Sequence, residues 1–251
     1  MSTRIDGRGA HDIRPITIET GVQKHPEGSV LYATGGTRVL IAASVDEGVS
    51  SWLRGSGKGW ITAEYAMHPR ANPKRQDRDG RKGRVDGRVQ EIQRLIGRAL
   101  RAAVDPAKLG ERTITVDCDV LDADGGTRTA SITGGFIALA LALDVLRAKG
   151  LVQPGVLRAP VAAISTGIVE GKVLADLAYL EDSRADVDLN VVTGGAGAIV
   201  EVQGTAEGEP VARERWTAMI DVALGTIPAL RKAQDEALSK AGVSLGRLGL
   251  G

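Results

Sequence analysis

TITVDCDVLDADGGTRTASITG, residues Thr113 to Gly134, changes its periodicity halfway along. In the first part Ile114, Val116, Cys118 and Val120 alternate with Thr and Asp, the two-residue period of a strand with one buried face. The alternation ends at Asp122-Ala123-Asp124, and helical spacing then runs from about Thr129 to Lys149. Ile132, Phe136, Ile137, Leu139, Leu141, Leu143 and Val145 cover most of that helix, which places it at the centre of a fold. Arg147 and Lys149, with Gly150 after them, close it. Between strand and helix stands Gly125-Gly126-Thr127-Arg128. The first N–H groups of a helix have no internal partner and favour anions. Glycine leaves that backbone uncovered, Thr127 offers a hydroxyl, and Arg128 offers a planar fork suited to phosphate oxygens. A plain N-cap at Thr127 or Thr129, with Arg128 in solvent, fits the same four residues, and the turn alone does not decide between the two.

Upstream, Ser29 to Val45 reads as a hairpin around Gly35-Gly36, and a short strand is expected at about Ile61 to Ala66. His68 to Gly87 is polar, basic and too long for an ordinary connection. A helix follows from about Arg88 to Val104, with Ile92, Leu95, Ile96, Ala99, Leu100 and Ala103 on one face and Arg94, Arg98 and Arg101 in a separate stripe. From Arg70 to Arg101 there are eleven basic side chains against four acidic ones, an excess of seven in a chain of net charge +1. Such a patch suits a polyanion, and with no aromatic residue interleaved it suits a backbone rather than bases. Solvated surface charge is the alternative.

Downstream, Val161 to Val169 and Lys172 to Leu180 read as strands joined at Glu170-Gly171. Asp186 to Val192 and Ala198 to Gln203 flank a second glycine-rich turn. A last helix runs from about Pro210 towards Ala241, bent at Pro228. Both parts of the chain thus run hairpin, further strands, then helix, a structural pseudo-repeat with boundaries expected at 12–150 and 155–235, followed by a mobile tail at 243–251. Asp176, Glu181, Asp182, Asp186 and Asp188 crowd a strand-like stretch, where aspartate is normally scarce. Carboxylates converging on a phosphate site could hold Mg²⁺ or supply a general acid, but spacing alone favours surface pairs with arginines such as Arg184. His11, His25 and His68 are scattered without metal-ligand spacing, and Ser131 and Ser165 have no evident His partner.

Composition sets the outer bounds. Hydrophobic residues make up 43% of the 251 and aromatics only 3%, so an aliphatic core of sheets packed on helices is expected, an α/β (α+β) fold. The single Cys118 excludes an internal disulfide. Without a secretory start or an unbroken apolar run of about 18 residues, a cytoplasmic protein with no membrane partner is expected.

Taken with KHPEGSVL from Lys24, GWITAEYAMHPRA from Gly59, EIQRLIGRALRAAVD from Glu91 and IVEVQGTAEGEP from Ile199, the opening stretch resembles the ribonuclease PH family of phosphate-dependent exoribonucleases over about Arg4 to Ala233. The resemblance implies a fold of two pseudo-repeated βαβα halves related to the ribosomal protein S5 domain 2-like fold. It implies a homohexamer built as a trimer of dimers. It implies 3′-to-5′ trimming of precursor tRNA, and of ribosomal RNA, with release of nucleoside diphosphates, and the reverse addition of nucleotides to RNA 3′ ends. Inorganic phosphate is then the co-substrate, bound by Arg88, Gly126, Thr127 and Arg128. YLEDSRADVDLN carries the implied catalytic and Mg²⁺-binding aspartates, Asp182 and Asp188, and the basic loop carries implied tRNA contacts at Arg70, Arg75 and Arg78. The loop has more Arg and Asp than the family pattern. A silent RNA-binding ring subunit and a hydrolytic nuclease are the rival functions.

Overall fold

The computed structural model describes residues 4–78 and 86–250. The alternating stretch forms a strand of a five-stranded sheet. In chain order that half holds β1 (Ile16–Thr20), β2 (Gly28–Thr34), β3 (Thr37–Glu47), β4 (Trp60–Met67), α1 (Gly87–Ala102), the single turn α2 (Pro106–Leu109), β5 (Arg112–Asp122) and α3 (Thr127–Ala148). The strands lie in the order β1-β2-β3-β5-β4. Pairing is antiparallel from β1 to β5, whereas β4 and β5 run parallel, with α1 in the connection that a parallel pair requires.

The second half holds β6 (Ala162–Val169), β7 (Lys172–Ala175), the one-turn α4 (Tyr179–Asp182), β8 (Val187–Thr193), β9 (Ile199–Ala206), α5 (Arg213–Lys240) and the short α6 (Leu245–Leu248). Its sheet has the order β7-β6-β8-β9 and is antiparallel throughout. The pseudo-repeat is therefore uneven, with one turn of helix in the second half where the first has α1.

Helix α3 lies against β2, β3 and β5 on one side and against β6, α1, α5 and α6 on others. By length and composition it could cross a membrane, but 83% of its most apolar window is buried inside this fold. It comes close to β2 at Gly28, where any Cβ would stand 2.0 Å from the Ala138 carbonyl oxygen. Polar ties hold it to the second half. Thr133 Oγ1 donates to Ala163 O at 3.1 Å and accepts from Ala163 N at 3.0 Å, and Gln234 Nε2 on α5 donates to both Thr133 O and Val161 O at 2.9 Å. A second apolar cluster, with Ile164, Leu189, Met219 and Ile227, packs β6 and β8 on α5.

Two expectations are corrected. The strand expected over 172–180 stops at Ala175, because Asp176 takes the left-handed conformation (φ 50°) and turns its buried carboxylate onto Arg14. The tail expected to be mobile is packed over its described residues. Val243 and Leu248 join the main core, and Leu157 N donates to Leu248 O at 2.9 Å. Leucines and glycines around Arg247 over 245–250 disguise a one-turn helix that has no room for periodicity.

Candidate active site

Gly126 is the N-cap of α3, in the left-handed conformation (φ 65°), and no side chain caps the helix. Neither Thr127 nor Thr129 takes that role. Thr129 Oγ1 donates to Gly126 O at 3.0 Å, and Thr127 Oγ1 shares a 2.8 Å hydrogen bond with the Tyr65 hydroxyl. The first turn of a long buried helix thus presents N–H groups that its own side chains do not satisfy. The glycine before it serves a different purpose from the one its sequence context suggests. A Cβ on Gly125 would stand 2.4 Å from Leu177 O and 2.9 Å from Tyr179 N. Its absence lets the turn seat against the backbone that leads into α4, rather than only exposing backbone to an anion.

Two arginines and two aspartates converge there. Arg128 leaves the first turn of α3 with a side chain 19% exposed, its Nε is buried without a hydrogen-bond partner, and its Nη2 is only loosely placed, 4.0 Å from Glu91. A buried donor left open in this way is costly unless an acceptor occupies the space. Arg88 sits in the first turn of α1, where the Asp86 side chain accepts from its backbone N–H at 2.8 Å. The carboxyls of Asp182, on α4, and Asp188, on β8, both feel the two arginine charges. Burial nevertheless raises the pKa of Asp182. Burial and then the neighbouring Asp182 charge push Asp188 up to about 6, against the pull of Arg128 and Arg88. Near pH 6 Asp188 is therefore divided between its two forms, and about a tenth stays protonated at pH 7, so it can serve as a general acid. The hydroxyl of Tyr65 is held neutral by burial and points at the same turn. Fixed cations, open N–H groups and a tuned carboxyl can hold a tetrahedral dianion and protonate a departing oxygen beside it.

The structure thus brings Arg88, Gly126, Thr127, Arg128, Asp182 and Asp188 to one place. Arg70, Arg75 and Arg78 are on a loop rooted beside the turn, where His68 N donates to Val120 O and Ala123 N to Ala71 O. Arg70, Arg75 and Arg78 are all exposed, Arg70 at the root of the loop. Arg75 stands 3.7 Å from Asp77, and the basic side chains at Arg81, Lys82 and Arg84 lie outside the described residues. Asp186 is exposed, and Glu181 is bound to Arg4 at 2.5 Å, so neither joins the cluster. Sequence reasoning assigned no part to Tyr65, Glu207 or Arg14, and it counted Asp176 among the clustered carboxylates rather than as the partner of Arg14. The first two fall within the motifs quoted above, while the pairing of the last two becomes visible only through a contact between residues 162 apart in the chain.

Residues 12–143 match domain 1 of the 3′ exoribonuclease family and residues 159–226 match its domain 2. The chain belongs to the 3′ exoribonuclease family. It is 55% identical over 240 residues to a protein of Mycobacterium ulcerans named ribonuclease PH, covering 95% of this chain and 93% of that one. A ribonuclease PH of Mycolicibacterium smegmatis is 54% identical over 239 residues, covering 95% and 92%. Among solved structures, an Archaeoglobus fulgidus exosome with RNA bound to its active site superposes with a TM-score of 0.76 at 25% identity, over 92% of each chain. Rice Rrp46 gives the same TM-score at 18% identity, over 94% of this chain and all of that one, a likeness of fold alone. This exoribonuclease therefore uses phosphate to remove nucleotides from RNA 3′ ends.

Proposed function

We propose that the four converging side chains are the phosphorolytic centre, and that its RNA is precursor tRNA, with ribosomal RNA as a second substrate. Inorganic phosphate lies on the N–H groups after Gly126, the Thr127 hydroxyl, Arg128 and Arg88. One of its oxygens attacks the last phosphorus of the RNA. The bond from that phosphorus to the 3′ oxygen of the preceding nucleotide breaks, and the 3′ oxygen takes a proton held at Asp188. A nucleoside diphosphate leaves, and the RNA is one nucleotide shorter. A phosphodiester is exchanged for a phosphoanhydride of comparable energy, so abundant nucleoside diphosphate drives the addition of nucleotides.

Among the described residues no three His, Cys, Asp or Glu side chains cluster closely enough to hold a metal by themselves. Asp182 and Asp188, whose charges repel, nevertheless fit the usual Mg²⁺ arrangement of one or two carboxylates completed by substrate phosphates and water. Bound there, Mg²⁺ would take the place of the Asp188 proton and would itself neutralise charge at the departing oxygen. We also propose a cytoplasmic ring of six chains arranged as a trimer of dimers. The exposed Ile199 and Val202 on the edge strand β9 suit such assembly.

The observation that carries the reading is the open Arg128 guanidinium at an uncapped helix start, facing two carboxylates of raised pKa. Incubation of a 3′-extended RNA with and without phosphate tests it. Nucleoside diphosphate should appear only with phosphate, and Arg128→Ala should lower the rate by a factor on the order of 10²–10³ and weaken phosphate saturation. Nucleoside monophosphate as product, or near-parental turnover in Arg128→Ala, would overturn it.

A further inference from the structure

The phosphate turn belongs to the first half of the chain and α4 to the second, yet the proposed reaction needs them aligned closely, since a displacement of about 1 Å can cost on the order of 100-fold in rate. A buried side chain spans the junction between the turn and α4. Arg14, 3% exposed, enters from the segment before β1. Its Nε and Nη2 donate to the two carboxylate oxygens of Asp176 at 3.0 and 2.7 Å, and its backbone N–H donates to the same carboxylate at 2.7 Å. Asp176 holds the left-handed conformation between β7 and α4 that makes this possible. On its other edge the same guanidinium reaches the turn. Nη1 donates to Asp124 O, Nη2 lies 3.4 Å from Gly125 O, and Nη2 would be 3.1 Å from a Cβ on Gly126.

Two further groups grip the same peptides. Thr37 Oγ1, fully buried at the start of β3, donates to Gly125 O at 2.7 Å and accepts from Asp124 N at 2.9 Å. Asp124 Oδ1 accepts from Tyr179 N, the first residue of α4, at 3.2 Å. In a trans peptide the C=O and N–H point in opposite directions, so fixing the carbonyls of Asp124 and Gly125 also fixes the N–H groups of Gly125 and Gly126. A planar guanidinium does this better than an ammonium, because its donors keep a fixed spread.

We propose that Arg14 is a positioning residue for phosphate. Held by Asp176, it aims the Gly125-Gly126 peptides at the anion and sets their distance from the α4 segment that carries Asp182. The proposal rests on the phosphorolytic reading of the site, and it assigns Arg14 no contact with substrate.

Initial rates on a 3′-extended RNA, measured against both phosphate and RNA, test it, together with the rise in Tm that inorganic phosphate gives the RNA-free protein. Arg14→Ala should raise the KM for phosphate about 10-fold or more, leave the KM for RNA within about twofold, and lose most of the phosphate-induced rise in Tm. Added guanidinium ion should restore part of the phosphate affinity, and Arg14→Lys should fall between. Thr37→Val, which removes the second grip and leaves Arg14 in place, should raise the phosphate KM by about threefold. A folded Arg14→Ala with parental phosphate KM, or one in which the phosphate and RNA constants worsen equally, overturns the proposal. Should Arg14→Ala fail to fold, parental phosphate affinity in Thr37→Val overturns it instead. A parent that makes no nucleoside diphosphate sinks the phosphorolytic reading alone, since the Tm response to phosphate still reports whether Arg14 orders an anion site.

Discussion

Asp188 is the residue at which the structure says most about chemistry. Its carboxyl sits at about 6 in the fold against an ordinary 3.8, because burial and the Asp182 charge outweigh the attraction of Arg128 and Arg88. The folded protein thus binds this proton more tightly than the unfolded chain does. Stability from that source is complete below about pH 4 and is lost as pH rises through about 6, at most about 3 kcal/mol in all. Asp188→Asn removes the charge and keeps the shape. In urea denaturation without divalent cations, the variant should be more stable than the parent by about 1–3 kcal/mol at pH 8, with the gap closing below about pH 4. Equal stability at pH 8 would mean the carboxylate is not desolvated as described. Asp182→Ala should likewise keep the fold and the assembly while losing the chemistry, which enzyme assays and solution mass can check side by side. Arg88, Arg128, Asp182 and Asp188 were legible in the sequence because each stands in or beside a long contiguous motif. Arg14 and Asp176 were not, since neither a lone Arg before a proline nor one Asp among several acidic neighbours announces a buried pair.

At the scale of elements, periodicity read best where a segment was long. Helix α3 and strand β5 emerged almost as their spacing predicts, because over a long run the apolar pattern admits one answer. The short pieces were misread. Residues 172–180 look like a strand, yet tertiary pairing of Asp176 with Arg14 ends β7 and frees α4 to present Asp182. The C-terminal segment looks structureless, yet Leu248 is 1% exposed and α6 packs on α3. That placement has a measurable consequence. Leu248→Ala should cost about 2–4 kcal/mol in denaturant unfolding, the usual penalty for truncating a buried leucine. It should leave the phosphate KM unchanged, because Leu248 belongs to the main core, where its backbone pairs with Leu157. A cost below about 0.5 kcal/mol would restore the tail to the solvent-exposed class.

For the whole molecule, the division of labour between the centre and the surface decides what can be separated by mutation. Arg88, Arg128, Asp182 and Asp188 come from one chain and from both of its halves, so these four groups meet without a neighbouring subunit. The basic loop is different. Its root is tied to Val120 and Ala123 next to the phosphate turn, and Arg75 and Arg78 extend from it into solvent without joining the central cluster. Side chains so placed would meet RNA through charge rather than at the reacting atoms, the expectation that the following variant tests. Each RNA phosphate that an arginine ceases to neutralise should lower the slope of log K against log salt by about 0.7, so Arg75→Ala with Arg78→Ala should take about 1.4 off that slope. The same double variant should bind long tRNA precursors more weakly while processing a short single-stranded oligonucleotide at a near-parental single-turnover rate. Solution mass supplies the control that separates direct binding from assembly, because the proposed ring far outweighs the free chain. If the double variant keeps that mass and loses the salt slope, the loop is an electrostatic guide for the body of the RNA. If the slope stays while the mass falls, the arginines hold subunits together instead, and the RNA path must be sought elsewhere on the surface.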